Sequence, residues 1–94
     1  WAPSHYAFLG RVSDWLVSEG VDRQSADRYI GAVAQAIATD ALQAADHGFE
    51  ALIKEVSTPG GMNEQILRMF TEADWFAPIK PALDAILDRH EGRA

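Results

Sequence analysis

The sequence predicts an all-α fold, and three observations support this. Apolar residues recur at intervals of three and four through most of the 94 residues, which is the spacing of one face of a helix. No stretch alternates apolar and polar residues for long enough to predict a strand. Glycine and proline fall mainly between the periodic stretches, where they would end or begin helices. We therefore expect about five helices in one domain over residues 1–94.

The first two predicted helices contain the longest apolar patterns. The first begins near Ser4, a residue type that caps helix N-termini, and it ends at Gly20. Asp22 caps the second, which we expect to run to Ala45 or Asp46. This second helix is rich in alanine and apolar around most of its girth, so it must be covered on several sides. The pattern favours a homodimer in which a second copy of the chain covers it, with a compact monomer as the alternative.

Three shorter helices are predicted in the second half of the chain. The first of them spans residues 49–56, and the next is capped by Asn63. Residues 71–76 are expected to form a connector before the last helix. Pro78 suits the first turn of that helix, and Pro81 is expected to lie no deeper than the same turn.

Composition excludes several classes of protein. Eight basic side chains against fourteen acidic ones, a formal charge of −6, argue against nucleic-acid binding. The absence of cysteine excludes disulfides, thiolate metal sites and thiol nucleophiles. No apolar run reaches the roughly 20 residues of a membrane span and no signal peptide is visible, so we expect a cytoplasmic protein without membrane association. The three histidines lie far apart without ligand spacing, so no metal site is expected.

One segment between the predicted helices has features of a ligand-binding loop. It reads Thr58-Pro59-Gly60-Gly61-Met62-Asn63 and places two glycines just before a helix start. Glycine permits positive φ, which we expect at Gly61, and close approach of a ligand; the free N–H groups of a helix start favour an anion. Thr58 and Asn63 add a hydroxyl and a carboxamide, and we interpret Glu64 as complementing the helix dipole. The pattern indicates a carboxylate or phosphate pocket, with a tight interhelical turn as the alternative.

Several motifs together resemble pyrroline-5-carboxylate reductase, in its C-terminal dimerisation domain. They are Ala2-Pro3-Ser4-His5-Tyr6, close to the family's Gly-Pro-Ala-Tyr, with Phe8, the Gly20-Val21-Asp22 turn, and the long alanine-rich helix leading to Val56. The most specific element is the family's Ser-Pro-Gly-Gly-Thr-Thr loop, which corresponds here to Thr58-Pro59-Gly60-Gly61-Met62-Asn63. The resemblance covers almost the whole chain. It implies an interleaved all-α dimerisation domain of the type found C-terminal in 6-phosphogluconate dehydrogenase.

The resemblance also implies an activity, a cofactor and partners. That family reduces a cyclic imine to proline with hydride from NADPH or NADH, which is bound by an N-terminal Rossmann domain. This sequence contains no Gly-x-Gly-x-x-Gly fingerprint, so the chain alone is expected to bind no nicotinamide and to be inactive. It also opens on Trp1 without a methionine, which suggests a piece of a longer protein. The implied partners are a second copy, a possible higher assembly of dimers, and a small imino or amino acid. A homodimerisation module without catalytic role and the helical domain of a hydroxyacid dehydrogenase-like reductase are the alternatives.

Carried over by position, the substrate-binding residues are Thr58, Gly60, Gly61, Met62 and Asn63. Thr58 takes the place of the family serine and would help to hold the substrate carboxylate, to which the two glycines would present N–H groups. Met62 and Asn63 replace the two threonines, the second of which is expected near the imine nitrogen. Asn63 is thus the catalytic candidate, and its amide donates hydrogen bonds but is a poor proton source. A related imine or oxo acid is as good a candidate substrate as pyrroline-5-carboxylate.

Overall fold

The computed structural model describes residues 1–92, and the predicted all-α fold is confirmed because these residues form helices and turns without a strand. The helices are α1 (Ala2–Ser18), α2 (Arg23–Ala41), α3 (Ala44–His47), α4 (Phe49–Val56), α5 (Met62–Glu72) and α6 (Ile79–His90). Five of these have eight residues or more, and α3 is a single turn. The chain divides into two compact units between Leu52 and Ile53, within α4. No helix of the described residues is long and apolar enough to cross a membrane.

The turn between α1 and α2 forms as its residues predict. Gly20 has a φ of +103°, and the N–H of Val21 donates to the Leu16 carbonyl at 3.1 Å, which satisfies an otherwise unpaired carbonyl at the end of α1. Asp22 is the N-cap of α2, and its carboxylate accepts from the Ser25 N–H at 3.0 Å. Hydrogen bonding to Ser25 lowers the pKa of Asp22 from its usual 3.8. The predicted stop and cap are both confirmed.

The predicted bounds of α1 and α2 need correction. α1 begins at Ala2 rather than near Ser4, because a proline in the first turn costs no hydrogen bond. α2 ends at Ala41, whereas the apolar pattern predicts that it continues to Ala45 or Asp46. The next two N–H groups bond three residues back instead of four, which tightens the turn and breaks the helix. The Thr39 hydroxyl also donates to the Gln35 carbonyl, a bond that bends helices.

The first unit is held by the packing of α1 on α2. Among the described residues only Ala26, Ile30 and Ser13 are buried, and Ala26 and Ile30 lie one helical turn apart on α2. Other apolar side chains of α2 stay exposed, Ile37 at 63% of its surface. The packing of α1 on α2 therefore does not cover the apolar girth of α2.

α4, which spans the boundary between the units, has its predicted bounds, but in the second unit Asn63 is not the cap of α5. Gly61 is the N-cap, and Asn63 is the second residue of the helix. α5 also extends to Glu72, two residues into the predicted connector. It ends in a turn in which Asp74 has a φ of +58° and the Trp75 N–H donates to the Phe70 carbonyl at 3.0 Å.

The aromatic rings at the end of α5 reinforce this turn, and α6 follows it as predicted. The rings of Phe70 and Trp75 stack with centroids 4.1 Å apart, which is the apolar contact that accompanies such a helix end. Pro78 is the N-cap of α6, one residue before the turn in which it was expected, and Pro81 is the third residue of the helix, within the first turn.

Candidate functional site

The predicted ligand loop is a tight β-turn followed by the start of α5. The Gly61 N–H donates to the Thr58 carbonyl at 2.8 Å, so Pro59 and Gly60 occupy the two central positions. Gly60 has a φ of +77°, the value of the third residue in a type II turn, in which proline is favoured at the second. The chemistry of the turn alone therefore accounts for Pro59 and Gly60.

Gly61 does not adopt the positive φ that we expected, since its φ is −83°. Glycine is needed at this position for a steric reason instead. A Cβ at this position would lie 2.9 Å from the Thr58 carbonyl oxygen and 3.3 Å from the Thr58 Cβ, closer than such atoms approach without a shift. Glycine at 61 thus lets the turn close on itself, and the positive φ belongs to its neighbour Gly60.

The N–H groups of both glycines already have acceptors within the chain. Gly60 donates to the Oε1 atom of Glu64 at 3.1 Å, and Gly61 donates to Thr58. Glu64 is the third residue of α5, so its carboxylate lies in the first turn, where the helix dipole favours negative charge. A ligand carboxylate that reached the Gly60 N–H would have to replace the carboxylate of Glu64. Sequence reasoning missed this bond, although an acidic residue in the first helical turn is its usual signal.

Asn63 connects the two helices that flank the turn. Its Nδ2 atom donates at 3.1 Å to the carbonyl oxygen of Val56, the last residue of α4. This carbonyl has no partner within its own helix, because the last four carbonyls of any helix lack one. The side chain of Asn63 therefore has a structural partner, and its second amide hydrogen and its oxygen have none among the described residues. Those two groups are the part of Asn63 that a ligand could contact.

The structure brings the five predicted site residues together on one exposed turn. Met62, the first residue of α5, is 81% exposed, and Thr58 and Asn63 are exposed as well. The segment thus exposes a hydroxyl, an amide and an apolar side chain to solvent. Within residues 1–92 no three His, Cys, Asp or Glu side chains come together in a way that could hold a metal ion.

A family model for pyrroline-5-carboxylate reductase dimerisation matches residues 4–92. The chain belongs to this dimerisation family. The resemblance to the pyrroline-5-carboxylate reductase dimerisation domain is therefore confirmed at the level of the family. Membership implies formation of a homodimer, as the apolar girth of α2 predicts. No curated protein and no solved structure matches the sequence.

As expected of a dimerisation domain, this chain leaves many large apolar side chains exposed. Those that are at least 49% exposed on α2, α5 and α6 are Tyr29, Ile37, Met62, Ile66, Met69, Ile79, Leu83, Ile86 and Leu87. Scattered apolar residues are ordinary on a monomer surface, but contiguous apolar faces mark interaction sites. The faces of these helices are thus the surfaces available to the second subunit of the family's homodimer.

Proposed function

We propose that this chain is the dimerisation and substrate-binding domain of an NAD(P)H-dependent reductase that converts a cyclic imine to an amino acid of the proline type. The observation that carries the proposal is the family match over residues 4–92. The Pro-Gly-Gly turn before α5 supports it, because it lies where the family has its substrate loop. Hydride is supplied by NADPH or NADH, held by a separate Rossmann domain, since this chain has no dinucleotide fingerprint.

In the proposed homodimer, the second subunit covers the apolar side of α2. Ile37 lies on this helix and is 63% exposed in the single chain. An aspartate in its place would bury an unpaired charge at the interface and weaken the dimer by several kcal/mol, about a hundredfold or more. Gln35→Asp is the matched control, because residue 35 is polar and exposed on the same helix.

Sedimentation measures this effect directly. We expect Ile37→Asp to be monomeric at micromolar concentrations at which the wild type and Gln35→Asp are dimeric. If Ile37→Asp sediments like the wild type, the apolar side of α2 is not the interface.

The proposed substrate site uses the turn and the start of α5. The substrate carboxylate takes the Gly60 N–H in place of Glu64, and the hydroxyl of Thr58 supplies a second donor. The unused hydrogen of the Asn63 amide donates to the imine nitrogen, which orients the ring for hydride transfer. Met62 forms an apolar wall, and this favours a substrate whose ring is mostly hydrocarbon.

The test is steady-state kinetics on the protein encoded by the full reading frame, with NADPH or NADH and pyrroline-5-carboxylate as substrates. We expect turnover of this or a related cyclic imine, and a higher KM for Thr58→Val with little change in helicity. Ser57→Ala is the control, because it removes a hydroxyl from the adjacent position. A protein that forms dimers but reduces no cyclic imine or oxo acid would be a homodimerisation module, and an oxo acid as the only substrate would favour the hydroxyacid dehydrogenase alternative.

A further inference from the structure

A polar cluster lies between α1 and α2, far along the chain from the turn before α5. The hydroxyl of Ser13 on α1 donates to Oδ1 of Asp27 and accepts from Nη1 of Arg23 at 3.1 Å, both on α2. The other terminal nitrogen of Arg23 lies 2.9 Å from Oδ1 of Asp14, so one guanidinium contacts two residues of α1. We name Ser13, Asp14, Arg23 and Asp27 the α1–α2 clasp.

Ser13 is the centre of the clasp and the one buried polar residue of the described chain, at 2% exposure. A buried hydroxyl is tolerated where it has hydrogen-bond partners and is costly where it has none. Its partners are half-exposed charged side chains, and ion pairs of that kind add little stability by themselves. The clasp is therefore better suited to specifying a geometry than to adding stability.

The apolar contact between the two helices depends on only two buried residues, Ala26 and Ile30, among those described. Arg23, Ala26, Asp27 and Ile30 follow the spacing of one helical stripe, and this stripe packs on α1. If α2 slid by one turn, Ile30 would move to the place of Ala26, and the next residue of the stripe, Ala34, to the place of Ile30. The two registers would bury a similar apolar area, although Ile30 would be overpacked in the fully buried place of Ala26 and Ala34 would leave a gap in the place of Ile30.

The polar groups distinguish the same two registers sharply. The slide would put Asp27 in the place of Arg23 and Gly31 in the place of Asp27. Glycine has no side chain to accept a hydrogen bond from Ser13, and the Arg23 guanidinium would leave Asp14. The shifted register would thus contain a buried hydroxyl without its acceptor.

We propose that the α1–α2 clasp sets the register of α2 on α1, and that Ser13 is the positioning residue on which it depends. Because the chain belongs to a dimerisation family and α2 carries exposed apolar side chains, this register also decides which surface the pair of helices presents to the second subunit. The clasp then acts on dimer formation without being part of the interface.

The test compares the wild type with Ser13→Ala/Arg23→Ala/Asp27→Ala. The matched control is Lys80→Ala/Asp84→Ala, which removes an exposed ion pair, 2.6 Å long, from α6 in the other unit. Amide spectra report the number of registers, and sedimentation reports dimer affinity. We expect one set of α1 and α2 peaks in the wild type and the control. In the clasp variant we expect doubled or broadened peaks and dimer affinity weaker by about tenfold or more.

The readouts separate register from stability. An ion-pair cluster that only stabilised the fold would lower the melting temperature and leave a single set of peaks with unchanged contacts between α1 and α2, and that result would overturn the proposal. Unchanged dimer affinity alongside doubled peaks would overturn the link to the interface. Ser13→Ala serves if the triple variant does not fold, because alanine fills the same space without the hydroxyl. The same broadening is expected, and an unchanged spectrum refutes the inference.

Discussion

Replacing glycine with alanine should stabilise this chain at one position and destabilise it at two others. Gly10 lies inside α1 with nothing within 4 Å of the place that an added Cβ would take, so Gly10→Ala should stabilise by about 1 kcal/mol through helix propensity. At Gly60, φ is +77°, and alanine incurs the left-handed penalty of about 1–2 kcal/mol. Reduced freedom of the unfolded chain returns about 0.5–1 kcal/mol of this. The net loss at Gly60 is therefore about 1 kcal/mol.

At Gly61 the same methyl group should destabilise for a different reason. The φ of −83° suits alanine, but the Cβ would lie 2.9 Å from the Thr58 oxygen that accepts the hydrogen bond of Gly61 itself. Moving that oxygen away weakens the bond that closes the turn. Overpacking and the weakened bond together should cost about 1–2 kcal/mol.

Urea unfolding followed by circular dichroism, at one fixed protein concentration because the chain dimerises, measures all three changes. Gly60→Asn is the discriminating variant, because asparagine tolerates positive φ better than alanine. It should be more stable than Gly60→Ala. The reasoning fails if Gly61→Ala is as stable as the wild type, or if asparagine and alanine cost the same at Gly60.

Four further predictions concern single side chains. Asp74→Gly should raise the melting temperature because a φ of +58° suits glycine better than aspartate, whereas Asp74→Ala should lower it. A gain of about 0.5 kcal/mol corresponds to a few degrees for a domain of this size. Glu64→Ala frees the Gly60 N–H and should tighten L-proline binding severalfold in amide-shift titrations, whereas Glu72→Ala, with the same charge change on α5, should not. The pKa of Asp22 is lower in the folded state than its usual 3.8, so the stabilisation by its charged carboxylate is complete above pH 3.8. This stabilisation is lost as the pH falls through the folded-state pKa. Melting curves of Asp22→Asn across that range should lack this pH dependence. Asn63→Ala and Asn63→Thr should each lower the free energy of unfolding in urea by about 0.5–1.5 kcal/mol, because neither side chain reaches the Val56 carbonyl. Asn63→Thr should nevertheless raise turnover of pyrroline-5-carboxylate in the full-length protein, because it restores a hydroxyl.

The helix ends that were predicted correctly depend on neighbouring residues alone. Gly20 and Asp22 form the turn between α1 and α2 because positive φ and N-capping are properties of one residue and its nearest neighbours. Pro81 was placed correctly for the same reason, since a missing N–H is harmless only in the first turn of a helix. Helix ends of this kind can therefore be predicted from the sequence.

The predictions that were wrong required knowledge of competing partners. Asparagine is a good N-cap, yet in this chain Gly61 has that position and Asn63 bonds to the end of the preceding helix. The apolar pattern of α2 continues past Ala41, but the helix breaks there where bonds three residues back replace the regular ones. Periodicity reports which face is apolar and does not report where the hydrogen-bond ladder stops.

The sequence by itself determined the all-α class, the family and the Pro-Gly turn before α5, because periodicity, motif and turn propensity are properties of consecutive residues. Only the tertiary structure decided which acceptor the buried Ser13 hydroxyl uses, namely Asp27, which lies 14 residues away on the other helix. That pairing depends on the distance between atoms after packing and on the removal of competing water. Neither quantity can be read from the order of the residues.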